Sequence, residues 1–537
     1  MARSSVQKAA GKAVSPASKS TAFAAAHGWF KIYRGMGDLC QADFLKDPEK
    51  AVEVTAVFGR TNSISGTADV IANVHEFNVK FNTCQGTFDI LGSNLAANLA
   101  PQVLPFAAIL QSNPRQSLWH SLTNLPAAVA AVLWAMSDQA LPRSFRMMQG
   151  FGSDTLRMTS DSGELRLVRF HWRPLLGRHF LLREEASQIA DLDSEYLRRD
   201  LYDAIDRGHH PEWELGVQLV SDSLAEDVGT VKQGVSTVTP IGRMVLDRNP
   251  MVATQDMRQF TYSPLNVIPG IEPGADTVLP NSDPNSSSQA DSYSRAAGFW
   301  NSLTLSERAR IVLALKFELS NFASINTQRH YIDLLANVAT PLAEQVANML
   351  GVSGSTKASD RPAALRFIET AKAEPPVDVI ASEGIRSRRI ALLVSDGIDR
   401  EILNELRIAM AEEGAIAKVL APALEIVCKG DSIAVEADAD IASSDSVLFD
   451  AVIVCDGDPP QIPAEQSDPL AQFVAHAHRH QKPIIAIGAR GRAQLSAANI
   501  ELDSEPAQGV WCAEKVDADF LLLARVLIAT HRFWDRR

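Results

Sequence analysis

The feature that most constrains this chain is a change in the period of its apolar residues. Between about Val52 and Val168, segments such as VEVTAVF (Val52 to Phe58) and EFNVKF (Glu76 to Phe81) alternate apolar and polar residues, with Gly, Asn and Ser turns between them. A period of two gives each strand one buried and one outward face, the signature of an antiparallel sheet that closes into a barrel. After Ile390 the pattern changes to short apolar runs, RRIALLVSDG, AKVLAP, FDAVIVCDG and KPIIAIG, separated by helical stretches such as DREILNELRIAMAEEGA. Strands that are apolar on both faces belong to a parallel sheet covered by helices.

Between these regions the local signals change twice. SLWHSLTNLPAAVAAVLWAM (Ser117 to Met136) and SEYLRRDLYDAIDRG (Ser194 to Gly208) have helical spacing and are expected to pack around the barrel. From Ile271 to Ser292 the chain is rich in Pro, Ser, Asn and Asp and has no apolar period, as in a linker. LTLSERARIVLALKFELSNF (Leu303 to Phe322), opened by a Thr/Ser-plus-Glu cap signal, and HYIDLLANVATPLAEQVANML (His330 to Leu350) read as two amphipathic helices. A second linker follows, with Pro375 and Pro376. The expected order is an N-terminal arm (1–50), a barrel domain (51–270), a linker (271–297), a helical region (298–350), a linker (351–388) and an α/β domain (389–537).

Composition excludes several function classes. With 537 residues, 46% of them hydrophobic, the chain can bury several cores. A net charge of -13 repels nucleic acid and anionic membrane surfaces, so neither is an expected partner. The five cysteines (Cys40, Cys84, Cys428, Cys455, Cys512) show no CxxC spacing, which fits a reducing, cytoplasmic setting without structural zinc. No apolar run reaches the roughly 18 residues that a membrane span needs. The chain has no acidic residue before Asp38, which is compatible with a transit peptide but is read here as an assembly arm.

Several segments carry a family resemblance: AAAHGWF (Ala24 to Phe30), GRTNSI, ADVIANVHEF, DILGSN, WAMSD, PRSFRMMQGFGSDTLRM, VRFHWRPLLGRH, ELGVQL and GRMVLDRNP. Together they resemble haem catalases over most of the first 350 residues. The α/β domain makes the likeness closer to the large-subunit catalases, which carry a flavodoxin-like or glutamine-amidotransferase-like C-terminal domain. The resemblance implies an α+β fold: a catalase-like antiparallel β-barrel core with helices, plus a C-terminal α/β flavodoxin-like domain. It also implies haem b, a homo-oligomer and decomposition of hydrogen peroxide.

That chemistry needs a distal His aided by Asn, arginines at the propionates and a proximal tyrosinate. Set on the family's V-H-A-x-G-x-x-A-x-G-[YF]-F motif, Ser20 stands where the distal His should be, and a hydroxyl is no proton shuttle near neutral pH. His27 is the nearest imidazole. Ser93 takes the place of the distal Asn in D-L-V-G-N-N, with Asn94 matching the second Asn. GRTNSI, set on V-R-F-S-T-V, keeps Arg60 and puts Asn62 at the distal serine. ADVIANVHEF, set on A-D-T-V-R-D-x-R-G-F, replaces two arginines by Ala72 and His75 and the glycine by Glu76, removing charge-assisted partners of a propionate.

The proximal side departs further. In the family a V-P-G segment is followed by an R-x-F-x-Y-T-D-T-Q helix that supplies the ligand; here VIPG (Val267 to Gly270) leads into the linker, so that helix and the wrapping segment after it are expected to be missing. RQFTY (Arg258 to Tyr262) has the ligand's local spacing but precedes VIPG, which leaves Tyr262 as a ligand only if haem is bound in an altered way. Tyr293 lacks the accompanying Arg.

Other candidates are weaker. HAHRH offers His476 and His480 at i,i+4 but no third ligand, and reads as a solvated helix face. His209 and His210 sit in a turn. In KPIIAIGARG, Gly488 occupies the strand end where related α/β enzymes place a nucleophile, and Cys455 ends a different strand. The expectation is therefore a catalase-related protein without haem or peroxide dismutation, serving as a scaffold or as the partner of an active catalase in a hetero-oligomer. The alternative is an active haem catalase with an altered pocket.

Overall fold

The computed structural model describes residues 23–60, 68–71, 74–95, 128–220, 238–250, 262–274, 289–352, 384–429, 434–457, 468–500, 508–534 and 536. They belong to two compact units, Met1–Asp378 and Val379–Arg537.

In the first unit the strands are β1 (Ala24–Ile32), β2 (Val52–Arg60), β3 (His75–Thr83), β4 (Gly86–Ile90), β5 (Gly92–Ser93), β6 (Gly150–Gly152), β7 (Leu156–Thr159), β8 (Leu165–Pro174), β9 (Glu212–Val220), β10 (Val238–Arg248) and β11 (Ile271–Pro273). The path β8-β6-β5-β3-β2-β1-β10-β9 returns to β8 through the β8–β9 pairing, closing an eight-stranded antiparallel barrel. Closure leaves these strands no free edge. β7 and β11 extend the sheet from β8, and β4 pairs with β3.

Alternation sends the large aromatics inward. Phe30, Phe58, Phe77, Phe81, Phe88, Trp172 and Trp213 are fully buried. Their rings lie in contact: Phe58 and Phe77 at 4.6 Å, Phe30 and Phe81 at 5.4 Å, Phe77 and Trp172 at 5.8 Å. Glycines supply the matching small positions: a Cβ on Gly150 would stand 2.3 Å from Phe77 Cδ1, and one on Gly242 would stand 2.5 Å from Phe30 Cζ. The barrel interior is a packed core, with large and small residues alternating to fit its taper.

Around the barrel lie α1 (Val129–Ala135), α2 (Arg183–Leu192), α3 (Tyr196–Asp206), α4 (Gln289–Ser302), α5 (Leu305–Ser320), α6 (Ile325–Ala336) and α7 (Thr340–Leu350). α5 opens on the expected capping box: Thr304 Oγ1 accepts from Glu307 N at 3.3 Å and Glu307 Oε2 accepts from Thr304 N at 2.8 Å.

Several boundaries differ from the sequence expectation. The arm read over 1–50 already forms β1 from Ala24, because strand β1 pairs on both sides, with β2 and β10; residues 1–22 lie outside the described residues. The linker read over 271–297 begins with β11 and ends inside α4. The helix read over His330–Leu350 is two helices, since Pro341 has no N–H to continue α6 and instead starts α7 at its first turn. Within 351–388, Ile385 is fully buried in the core of the second unit.

The second unit contains β12 (Arg389–Leu393), β13 (Ile416–Ala421), the hairpin β14 (Glu425–Val427) and β15 (Ala434–Glu436), β16 (Ala439–Asp440), β17 (Ala451–Val454), β18 (Ile484–Ile487) and β19 (Val510–Ala513), with helices α8 (Arg400–Glu412), α9 (Pro469–Arg479), α10 (Gly488–Ala497) and α11 (Ala518–Thr530). The sheet order is β16-β13-β12-β17-β18-β19, all parallel. Without the two-residue edge strand β16 this is the flavodoxin-like order. Ile390, Leu392, Ile453 and Ile485 face one buried cluster while Ala391, Leu393, Val452 and Ile484 face another, as a sheet covered on both faces requires.

Candidate functional site

The family-matched residues converge on the outer face of β1, β2, β3 and β5. Cross-strand register aligns Gly59 with Glu76, Glu76 with Ser93 and Ser93 with Phe151 in one row. Phe23, just before β1, lays its ring against Gly59 at the head of that row. The next row along the strands holds Ala25, Val57 and Asn78.

Most candidates on this face are tied to the backbone. Ser93 Oγ accepts from Leu95 N at 3.2 Å. Asn78 donates to Glu76 Oε2 at 3.2 Å and accepts from Gly92 N at 3.0 Å. Asn94 points to the barrel end, accepting from His75 N at 2.9 Å and donating to Gln139 O at 2.9 Å. Arg60 closes β2 opposite His75. His75 is fully buried, with its ring edge-on to Phe145 at 5.7 Å, so at this arginine-to-histidine position the side chain joins the core. Ser20, Asn62 and Ala72 lie outside the described residues.

Tyr262 and His27 meet at a single residue. The Tyr262 hydroxyl donates to the Thr55 carbonyl at 3.3 Å, and His27 Nδ1 lies 3.0 Å from Thr55 Oγ1. Tyr262 is 3% exposed and packs on Ala25, Val57, Phe23 and Leu91. A haem with Tyr262 on one side and His27 on the other would separate them by the thickness of the macrocycle. Here both are attached to Thr55. Burial, and secondarily the Asp89 carboxylate, push the Tyr262 phenol well above its ordinary value, which opposes a tyrosinate. Asp89 is itself pushed up by burial, against bonds from Ser263 N, Asn266 Nδ2 and Lys80 that favour its charged form.

All six tyrosines of the chain fall in described residues. Tyr33 donates to Glu214 at 3.1 Å, and burial followed by that carboxylate raises it to about 12. Tyr202 accepts from Ala25 N at 3.3 Å and is raised by burial. Tyr196 lies under the Arg143 guanidinium at 5.2 Å, Tyr293 is buried on α4, and the Tyr331 ring lies tilted against Phe322 at 5.5 Å.

Beside the row, a pocket lined by Asn94, Gln139, Met148, Phe151, Arg178 and Phe180 encloses about 20 Å³. That volume admits about one water. Below the barrel end, Asp200 receives Arg146 through Nε at 2.9 Å and Nη2 at 3.0 Å, takes the Ser144 hydroxyl, and has Arg143 at 4.0 Å; all four side chains are buried. This network holds the segment that carries Phe145 against α3.

Family models match nearly the whole of this architecture. The catalase model covers residues 20–282, the catalase-related immune-responsive model covers 286–350, and the model of the C-terminal domain found in long catalases covers 386–537. The chain belongs to the catalase family. Among its relatives are Catalase HPII of Mycobacterium avium (29% identical; 96% of this chain, 88% of the relative), Catalase HPII of Pseudomonas aeruginosa (28%; 95% and 86%) and Catalase-2 of Bacillus subtilis (26%; 95% and 88%). The last alignment runs over 616 positions against a chain of 537 residues, so these catalases carry positions that have no counterpart here. The catalase and catalase-related matches come within a few residues of each other at 282 and 286, inside the stretch where the proximal helix was expected to be missing.

The other candidates in this catalase-family chain are structural. Of HAHRH, His476 is exposed, but His480 is fully buried at the end of α9, because the chain turns there into the core; the solvated-face expectation fails for it. His478 is lowered to about 4 by burial and the nearby Arg536 cation. His209 and His210 are half-buried. Among the described residues no group of three or more His, Cys, Asp or Glu could hold a metal ion. Cys455 is buried, and burial followed by Asp456 lifts its thiol to about 12, so it is no nucleophile at neutral pH. Gly488 has φ +72, and a side chain there would run into the Asp456 carboxylate at 2.7 Å. Phe23 went unnoticed in the sequence, although it stands at the first glycine of the motif that placed Ser20.

Proposed function

We propose that this chain is a large-subunit catalase-family protein that holds no haem, does not dismutate hydrogen peroxide, and serves as a scaffold or partner subunit. It would assemble with copies of itself, as a dimer or tetramer, or with an active catalase, in the cytoplasm and without nucleic acid or membrane. The observation that carries the reading is the joint attachment of Tyr262 and His27 to Thr55. Glu76 and Phe23 add bulk to the row whose family motifs have glycine at those positions. The residues described do not fit a haem.

The alternative is a haem catalase with an altered pocket, as the relatives' names imply. Purification from haem-supplemented cells, a visible spectrum and oxygen release from peroxide decide between them. A colourless protein without oxygen release is expected. A Soret band at one haem per chain with rapid oxygen evolution overturns the proposal.

A further inference from the structure

Phe23 and Gly59 form a size exchange. The family motifs quoted for the two segments have glycine at the first position and valine at the second; this chain has a large ring and no side chain. A Cβ added to Gly59 would stand 2.2 Å from Phe23 Cδ1 and 2.8 Å from Cε1, so the ring occupies the space a side chain at 59 would need. The ring then joins Ala25, Val57, Leu91 and Tyr262 in one apolar cluster on the outer face of β1 and β2. Tyr262 closes the other side of that cluster, where Lys80 lies 5.1 Å from its ring centre and Asp89 holds the following turn through Ser263 N at 3.0 Å and Asn266 Nδ2 at 2.7 Å.

Glycines in a strand let another group approach the backbone closely. Emptying the neighbouring position makes room for the ring, whereas a ring added against an occupied neighbour would overpack the site. We infer that Phe23, seated on Gly59 and backed by Tyr262, is an intramolecular plug that closes this face of the barrel to a planar macrocycle and lets the barrel fold without one. The inference rests on the haem-free reading and adds to it the group that takes the face.

The test is a double-mutant cycle on the full chain, read by thermal unfolding of material grown with and without haem supply. Phe23→Gly leaves a void and Gly59→Val meets the ring, so each lowers the midpoint by more than about 3 °C. The double variant F23G/G59V restores the exchange and regains at least half of the G59V loss. Neutral G59V, or a double variant that loses the sum of the two, overturns the plug. If G59V yields no soluble chain, soluble F23G/G59V supports the plug and insoluble F23G/G59V overturns it. The unsubstituted chain is expected to melt at the same temperature with either haem supply. A rise with haem, accompanied by a Soret band, overturns the haem-free reading and the plug with it, whereas a failed cycle in a colourless protein overturns the plug alone.

Discussion

Replacing Asp200 by Ala tests whether the buried ion network below the barrel holds the first unit together. Asp200 is 1% exposed and is the partner of a bidentate Arg146, a Ser144 hydroxyl and, at 4.0 Å, Arg143. Both arginines are 2% exposed, and the substitution removes the carboxylate that holds the Arg146 guanidinium at two points away from water. Breaking a buried pair by removing one partner costs about 3–5 kcal/mol, because the surviving charge has been desolvated without compensation. That is a large fraction of the roughly 5–15 kcal/mol that stabilises a domain. For a unit of this size it corresponds to a fall on the order of 10 °C in midpoint. Calorimetry on the whole chain reads the shift of the barrel transition against that of the second unit. Asp200→Asn keeps the volume and one acceptor but not the charge, and is expected to recover a minor part. A loss below about 1 kcal/mol in Asp200→Ala would refute the reasoning, since it would mean that water or another acceptor already serves these guanidinium groups.

Three further outcomes follow from single sites. Thr304→Ala removes the capping box of α5 and should cost about 1 kcal/mol, read as a lower denaturant midpoint for the first unit; an unchanged midpoint would show that packing alone sets the helix start. His478 is neutral in the folded state down to about 4 against an ordinary 6.5, so between these values the unfolded chain binds more protons. Stability of the second unit is therefore complete above pH 6.5 and declines as pH falls towards 4, and His478→Gln should flatten that decline in a pH series of melting curves. Alkylation with iodoacetamide at pH 8 should modify exposed Cys84 and spare buried Cys455, and mass spectrometry showing rapid native-state labelling of Cys455 would restore the case for a thiol nucleophile.

Features encoded by neighbours along the chain were legible without coordinates. The alternation in VEVTAVF and EFNVKF produced β2 and β3, SEYLRRDLYDAIDRG produced α3, and the Thr304/Glu307 pair marked the start of α5, because strand period and helix caps involve residues only a few positions apart. The motif counts that singled out Ser93, His75 and Glu76 also brought those positions to one end of one sheet, since register in a closed barrel follows from the same alternation. The burial of His480 was not legible: i,i+4 spacing describes a helix face, and the neighbouring core decides whether that face is wet.

The sequence by itself determined that this chain builds an antiparallel barrel and a parallel sheet. Only the tertiary structure decided which residues of these elements meet. Tyr262 and Thr55 lie 207 positions apart, and Thr55 lies 28 positions from His27, yet the three meet at hydrogen-bond distance. Phe23 and Gly59 come together because β1 and β2 pair. Such contacts arise from chain closure over long separations, which no local period or motif encodes.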